Sequence, residues 1–502
     1  MTMPPATSTK KKVATNVGWS VAGQVLPLAF AIAVMPMLVR TLGVDRLGFL
    51  SLAWVLVGYA SLFDFGISRA MTRVVARRLE QHDQAGAFHV GSVAMTFMVG
   101  LGAVAGIGLM AVAEPTVDSW LLVPQALRAE ARNALFILAA SMPLVLLTAA
   151  YRGYIEASQA FKPLSLIRIF MGLFTYVAPL LAALVSARLE VVIGAVVLMR
   201  VVANLAHAVV ARRYCQFTYG FVVPDRATSR ELFSLGGWMS VSNIVGPLLS
   251  YMDRIILGGL VTVELVAYYA TPYDVISRTM AMPYALMGVL FPILAGKAGS
   301  GDSTRGTYTT SIRLIWITMF PVIFTAVVFA HPILTLWLGP KFAEHGALVL
   351  QVLALGVLTN SLAQAPANLI QGAGNPKWMA LAHVLELPVF LFALWWMTAK
   401  FGIAGTAICA AARMAIDAVI MFSIASFRLH QPSLSGDWYA WMVVAPVALL
   451  ASAFAVTSVQ AGVALWSAGV LLFAFLAWHK GLHETDRNYF ASLLMRRVGN
   501  KA

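Results

Sequence analysis

The sequence predicts an all-α polytopic membrane protein of about fourteen transmembrane helices. They form two pseudo-symmetric six-helix bundles followed by two further helices, with both termini in the cytoplasm. Three observations carry this. Of 502 residues, 60% are hydrophobic and only 11% are Asp, Glu, Lys or Arg, against roughly 45–50% and about 25% in soluble domains; so few charges cannot cover a water-exposed surface. The apolar residues fall in runs long enough to cross lipid. The Lys and Arg residues, finally, crowd into every second segment between those runs.

Lipid offers no partner to an unpaired backbone group, so each crossing takes about 20 apolar residues in helical form. The first run, 14–38, follows Lys10, Lys11 and Lys12 and far exceeds a signal-peptide core of roughly 7–15 residues; it predicts a retained membrane helix. The second, 47–67, carries Asp64 near its end. The third and fourth, 87–113 and 131–151, flank the longest outer segment, which is too sparsely charged to form a domain. The fifth and sixth, 165–187 and 190–211, are parted by a short turn that Arg188 and Glu190 mark. The seventh to twelfth cover 231–256, 265–294, 312–335, 346–371, 378–399 and 403–427. The last two are 440–459 and 462–479. Short loops leave no room for a soluble catalytic domain.

Orientation follows from the Lys/Arg bias, since positive loops stay in the cytoplasm. With the N-terminus inside, 23 of the 35 Lys and Arg are cytoplasmic, seven are outer and five lie within spans. The 21 acidic residues divide as nine, seven and five. The whole formal excess of +14 therefore faces the cytoplasm, where it serves insertion and contact with anionic lipid. Basic residues scattered over short loops argue against a nucleic-acid partner.

An internal repeat is present. Residues 20–28 read SVAGQVLPL and 240–248 read SVSNIVGPL, an offset of 220 residues that holds six helices. An even number of helices brings both copies in from the same side, so the repeat is parallel, as in transporters with a site between two halves. The expected organisation is residues 1–215 and 216–430 as the two bundles and 431–502 as two additional helices and a cytoplasmic tail.

Ionisable groups inside a membrane are costly and mark candidate sites. Ten fall within the spans: Arg168, Arg200, Arg254, Arg278 and Arg413, with Asp64, Asp253, Asp274, Glu386 and Asp417. Asp274 with Arg278, and Arg413 with Asp417, are one helical turn apart. Two readings are open: structural ion pairs, or a water-filled cavity for an anionic head group, since the guanidinium fork suits phosphate. Arg200 has no carboxylate three or four residues away, so its partner must come from another helix or from a ligand. Arg168 is placed to snorkel to the surface. Glu386, two residues before Pro388 in a helix the proline is expected to kink, is either a proton carrier or a partner for Arg413. Asn360, Gln364, Asn368 and Gln371 share one helical stripe and can bond neighbouring helices or sugar hydroxyls. Tyr268, Tyr269 and Tyr273 can stack on sugars or anchor an interface.

A phosphate-binding Gly loop, a nucleophile elbow and an HExxH helix are all missing. Cys215 and Cys409 form no cluster. No cofactor, metal or catalytic residue is predicted.

Several segments resemble a known family. FDFGISRAMTRVVARRLE (63–80), MDRIILGGLVTVELVAYYATPYDVISR (252–278), NLIQGAGNPKW (368–378) and FGIAGTAICAAARMAID (401–417) are similar to the polysaccharide transporter branch of the MOP flippase superfamily, over essentially the whole chain. The resemblance implies a Wzx-type flippase of the bacterial cytoplasmic (inner) membrane. It would carry an undecaprenyl-diphosphate-linked oligosaccharide from inner to outer leaflet by alternating access, for O-antigen, capsule or exopolysaccharide. It implies no enzyme activity. The expected partners are that lipid-linked oligosaccharide, membrane lipid, and the polymerase and glycosyltransferases of the pathway. Asp253 and Arg254 match the family's Asp-Arg run. Arg254, Arg278, Arg200 and Arg413 become candidates for the diphosphate, with Asp253, Asp274, Glu386, Asp417 and Asp64 as charge partners or coupling groups. Asn360, Gln364, Asn368, Gln371, Tyr268 and Tyr273 would contact sugar. Alternatives are a lipid II flippase, disfavoured because the first span carries no charge, and a cation-coupled multidrug exporter, which usually stops at twelve helices. A membrane-embedded glycosyltransferase or polymerase would need a longer outer loop.

Overall fold

The computed structural model describes residues 6–59, 64–300, 304–431, 445–454 and 458–481. The rest of the predicted thirteenth span and the tail from 482 lie outside the described residues, as do the side chains of 1–29 and 235–244, which hold most of the sequence repeat. No strand occurs among the described residues. The helices form two compact units, Met1–Thr271 with His383–Thr406, and Pro272–Ala382 with Ala407–Ala502.

The first unit opens with α1 (Ala6–Tyr59). Its 54 residues would span about 80 Å if straight, far beyond the roughly 30 Å of hydrocarbon. Gly43, at φ 75°, interrupts it between the first two predicted spans. Phe65 and Gly66 both take positive φ and start a new helix, α2 (Ile67–Glu80). Asp64 was expected inside the second span; it instead precedes α2, and its carboxylate accepts from Ser68 N at 2.8 Å. The α2 helix buries Ile67, Ala70, Met71, Val74 and Val75 and exposes Arg69 and Arg73, an amphipathic pattern.

Asp83 caps α3 (Gln84–Pro115), accepting from Gly86 N. Next come α4 (Arg128–Ala140) and α5 (Met142–Ala157), bent by 40° at Ser141, so the predicted fourth span is two helices. On α3, Gly102 and Gly106 admit this elbow. A Cβ on Gly102 would sit 2.5 Å from the Pro143 Cα, and one on Gly106 2.5 Å from the Ala139 carbonyl oxygen. The short turn expected near Arg188 joins α6 (Phe161–Val185) to α7 (Leu189–Cys215). The α6 helix packs on α1 and α7, and α7 also on α4 and α5. Asp225 caps α8 (Arg226–Leu260) by accepting from Thr228 N and also meets His89 Nε2 at 2.7 Å; α9 (Val263–Ser277) follows.

In the second unit a tight turn at Arg278–Met280 leads into α10 (Ala281–Ser300). Then come α11 (Arg305–Val328), α12 (Ala330–Leu338), α13 (Pro340–Gly372) and α14 (Pro376–Leu429). Small residues let α13 meet the end of α14, Ala363, Ala367 and Ile370 against Ala418 and Met421. The last described helices, α15 (Ala445–Ala453) and α16 (Val459–Leu476), pack on α11. Phe473 stacks on Phe320, and Trp466 Nε1 donates to Thr325 Oγ1 at 2.8 Å.

The 54-residue α14 is interrupted at Gly402 (φ 57°, ψ −138°), while its backbone stays helical at Pro388. Thr398 Oγ1 lies 2.9 Å from Thr406 Oγ1. Eight residues along a continuous helix are about 12 Å apart, so the chain doubles back at Gly402, between the predicted eleventh and twelfth spans. Among the described residues, eight helices are long and apolar enough to cross a membrane, or nine if the α4–α5 pair counts as one span. α1 and α14 each count once there.

Candidate functional site

Three helices of the first unit set polar groups around a cavity of about 270 Å³. The sequence does this by helical spacing. Val145, Thr148 or Ala149, and Arg152 recur along one face of α5. Leu164, Ile167 or Arg168, and Met171 do so on α6, and Arg200, Ala203 and His207 on α7. Residues three, four and seven apart share a face. Val57 of α1 and Asp64 close the wall. The α5 and α7 faces are fastened by Asn204, which is buried and donates to Thr148 Oγ1 at 3.1 Å.

The charges are asymmetric. Three guanidiniums, Arg152, Arg168 and Arg200, line the cavity with one carboxylate, Asp64, and Glu156 stands at the rim between Arg152 and Arg168. Arg69 and Arg152 are both within Coulombic range of Asp64. Asp64 is 8% exposed and is held by the first turn of α2 rather than by an arginine. Arg200 has no hydrogen-bond or ion-pair partner among the described residues, so no neighbouring helix among them supplies the partner that the sequence left to another helix or to a ligand. Arg168 reaches the rim with 59% of its side chain exposed, 4.0 Å from Glu156 Oε1, and Glu156 lies 3.8 Å from Arg152 Nε. His207 Nδ1 pairs with the Ala203 carbonyl at 2.7 Å.

The structure thus gathers two predicted residues, Arg200 and Asp64, with three not proposed as ligands: Arg152, Arg168 and His207. Arg152 stands one residue past its predicted span and counted as a loop charge. The signal for His207 was its spacing of seven from Arg200.

Other predicted residues sit elsewhere. Asp253 and Arg254 are buried in α8 and do not line this cavity. Asp253 accepts from the Tyr269 hydroxyl at 2.5 Å and from Arg254 N at 2.8 Å, while the Arg254 guanidinium lies 5.9 Å from the Tyr251 ring centre. Tyr268 is buried, its hydroxyl 3.4 Å from Glu264 Oε1, so no ring face is open in this conformation. In the second unit, Tyr273 and Asp274 are half-buried on α9, and Arg278 is exposed in the turn after it. Arg413 and Asp417 are half-buried one turn apart on α14. Glu386, also half-buried on α14, belongs to the first unit. Of the amide stripe on α13, Asn360 and Gln364 are half-buried. Asn368 donates to the Gln364 carbonyl at 2.7 Å, and Gln371 reaches Met379 Sδ at 3.8 Å.

The family model described as "Polysaccharide biosynthesis protein" matches residues 37–347, a stretch that contains every residue of the cavity wall. The chain belongs to that family. A relative from Shigella flexneri, named "Putative O-antigen transporter", is 28% identical over 411 residues, 81% of this chain and 96% of that protein. Among solved structures, "Inward-facing conformation of a multidrug resistance MATE family transporter of the MOP superfamily" superposes with TM-score 0.68 at 13% identity, covering 81% of this chain and 94% of that one. "Lipid II flippase MurJ, inward closed conformation" does so with TM-score 0.67 at 12% identity, covering 92% and 98%. At such identities these two establish the fold. This member of the polysaccharide biosynthesis family is a multi-span, all-helical membrane protein with the MOP fold.

Proposed function

We propose that this protein is a flippase that moves an undecaprenyl-diphosphate-linked oligosaccharide from the inner to the outer leaflet of the bacterial inner membrane. It breaks no bond. The observation that carries the reading is the cluster Arg152, Arg168 and Arg200 around Asp64 in a cavity within the family-matched segment. A diphosphate esterified at both ends bears about two negative charges, one per phosphate, and the cavity meets it with three guanidiniums against Asp64 in its lining and Glu156 at its rim. Arg200 supplies an unspent guanidinium fork, the geometry that binds phosphate oxygens in pairs. The undecaprenyl chain stays in lipid, and the sugars occupy the aqueous path. The solved neighbours include a multidrug transporter and a lipid II flippase of nearly equal TM-score, so the fold alone does not choose the branch. The family and the Shigella relative favour polysaccharide.

Fourteen spans, cytoplasmic termini and bundles at 1–215 and 216–430 complete the proposal, with alternating access about the bundles. The breaks at Gly43 and Gly402 support two spans in each of α1 and α14. Arg254, Arg278 and Arg413, with Asp253, Asp274, Glu386 and Asp417, are secondary candidates for guiding or coupling the cargo. The test is purified protein in liposomes with a fluorescent polyprenyl-diphosphate oligosaccharide. Wild type should accelerate transbilayer movement and Arg200→Gln should slow it about 10-fold or more while inserting normally, since a hydrogen bond to a charged group is worth roughly 1.5–3 kcal/mol. No acceleration by wild type refutes a flippase; covalent change of the sugar points to an enzyme.

A further inference from the structure

Besides its arginines the cavity holds two groups able to change charge, Asp64 and His207. His207 is 6% exposed and sits two turns from Arg200 on the cavity face of α7. Its Nδ1 is spent on the Ala203 carbonyl. A carbonyl only accepts, so Nδ1 carries hydrogen in either protonation state. The proton therefore comes and goes at Nε2, which has no hydrogen-bond partner among the described residues.

The charges that share its cavity are Arg152 from α5, Arg168 from α6, Arg200 from α7 and Asp64 ahead of α2, with Glu156 of α5 at the rim between Arg152 and Arg168 and Arg69 beyond Asp64. The α1 and α4 helices also pack on α7. Of their charges, Arg46 and Glu130 pair with each other beside Leu189, at the far end of α7, where Arg40, Asp45, Arg128 and Arg132 also stand at the ends of α1 and α4 or next to that pair in sequence. With the cavity empty, a second proton on His207 would add positive charge among arginines. A bound diphosphate cancels that positive excess and offers oxygens that accept a hydrogen bond.

We propose that entry of a phosphate-bearing ligand draws a proton from solvent onto His207 Nε2, so that ligand and proton occupy the cavity together. The new N–H donates to a phosphate oxygen, and no bond of the ligand breaks. This rests on the diphosphate reading above. By linkage, binding is then strongest at low pH and weakens as pH rises through the range where the bound state holds one more proton than the empty one.

The test is calorimetry on the full chain in nanodiscs, with geranylgeranyl-diphospho-glucose as the probe. Both of its phosphates are esterified and do not titrate near pH 7. Measured in PIPES and in ACES, which differ in ionisation enthalpy, the apparent binding enthalpies should differ by an amount equal to uptake of up to about one proton per ligand. The wild-type Kd should rise by up to about tenfold per pH unit through the window. His207→Asn keeps an N–H for the Ala203 carbonyl; it should bind without uptake and with a Kd independent of pH, whereas Asp64→Asn should keep the uptake. Binding with equal enthalpy in both buffers, or uptake kept in His207→Asn and lost in Asp64→Asn, overturns the proposal and leaves the diphosphate site standing. Absence of binding in wild type overturns both. Should His207→Asn not fold, His207→Gln and the wild-type buffer dependence decide the question.

Discussion

Removing the carboxylate of Glu156 should tighten the cavity's hold on phosphate. Glu156 stands between Arg152 and Arg168, with Oε1 3.8 Å from one and 4.0 Å from the other. A phosphate must displace it or share the arginines with it. Two unit charges 4 Å apart attract by about 1 kcal/mol in water and about 4 kcal/mol at an effective dielectric of 20. Both contacts exceed hydrogen-bond length, and both arginine side chains are more than half exposed. The watery end of that range applies, roughly 0–1 kcal/mol per pair. Glu156→Gln keeps the volume and removes the competitor. The Kd of a polyprenyl diphosphate lipid should fall about fivefold, and by at most about thirtyfold if both pairings are fully displaced. Calorimetry in nanodiscs at two salt concentrations measures this, with the larger gain at low salt because exposed charges are screened. Unchanged or weaker binding in Glu156→Gln would refute the idea that Glu156 occupies the arginines in the ligand's place.

Gly106→Val should destabilise the first unit by about 1–3 kcal/mol, because even a Cβ would lie 2.5 Å from the Ala139 carbonyl oxygen; an unchanged melting temperature in detergent would contradict that close approach. Cysteines replacing Thr398 and Thr406 should cross-link readily on mild oxidation, whereas a helix continuous through Gly402 would hold them about 12 Å apart and give no product. The Asp225 carboxyl is held well below the usual carboxylate range, first by the Thr228 amide and next by His89. A depressed folded-state pKa stabilises above the unfolded value of about 3.9 and is lost as pH falls below it. The protection factors of the first-turn amides of α8, exchange rates taken relative to the intrinsic rate at each pH, should therefore be level from pH 7 to 5 and fall below about pH 4, with Asp225→Asn lacking that acid step; an identical step in the variant would count against the cap.

Spans such as those of α3, α6, α7, α11 and α13 were legible because membrane insertion writes itself into composition: their apolar runs end at charges or at Pro and Gly, and even the brief break before Arg188 appeared where expected. Direction was less legible. Hydropathy cannot see the 40° elbow at Ser141, since both arms are equally apolar. It also cannot foresee that Phe65 and Gly66 turn the chain, which moved Asp64 out of a span and onto the N-terminus of α2. Arg200 could be picked out because its own helix offers no carboxylate. Arg152 was missed by one residue of span boundary. His207 was missed because it bears no formal charge, although its spacing from Arg200 was visible. Tyr268 shows the converse. An aromatic at a helix start suggests sugar stacking, but Glu264 one turn away satisfies its hydroxyl within the protein.

Whether the cavity among α5, α6 and α7 receives the diphosphate of a lipid-linked sugar can be seen in a cryo-electron microscopy map of the protein in nanodiscs saturated with a polyprenyl-diphosphate sugar. Density for two phosphates should lie within hydrogen-bonding distance of Arg200, with the Glu156 carboxylate moved off Arg152 and Arg168. Phosphate density elsewhere in the protein, with this cavity empty, would contradict that placement.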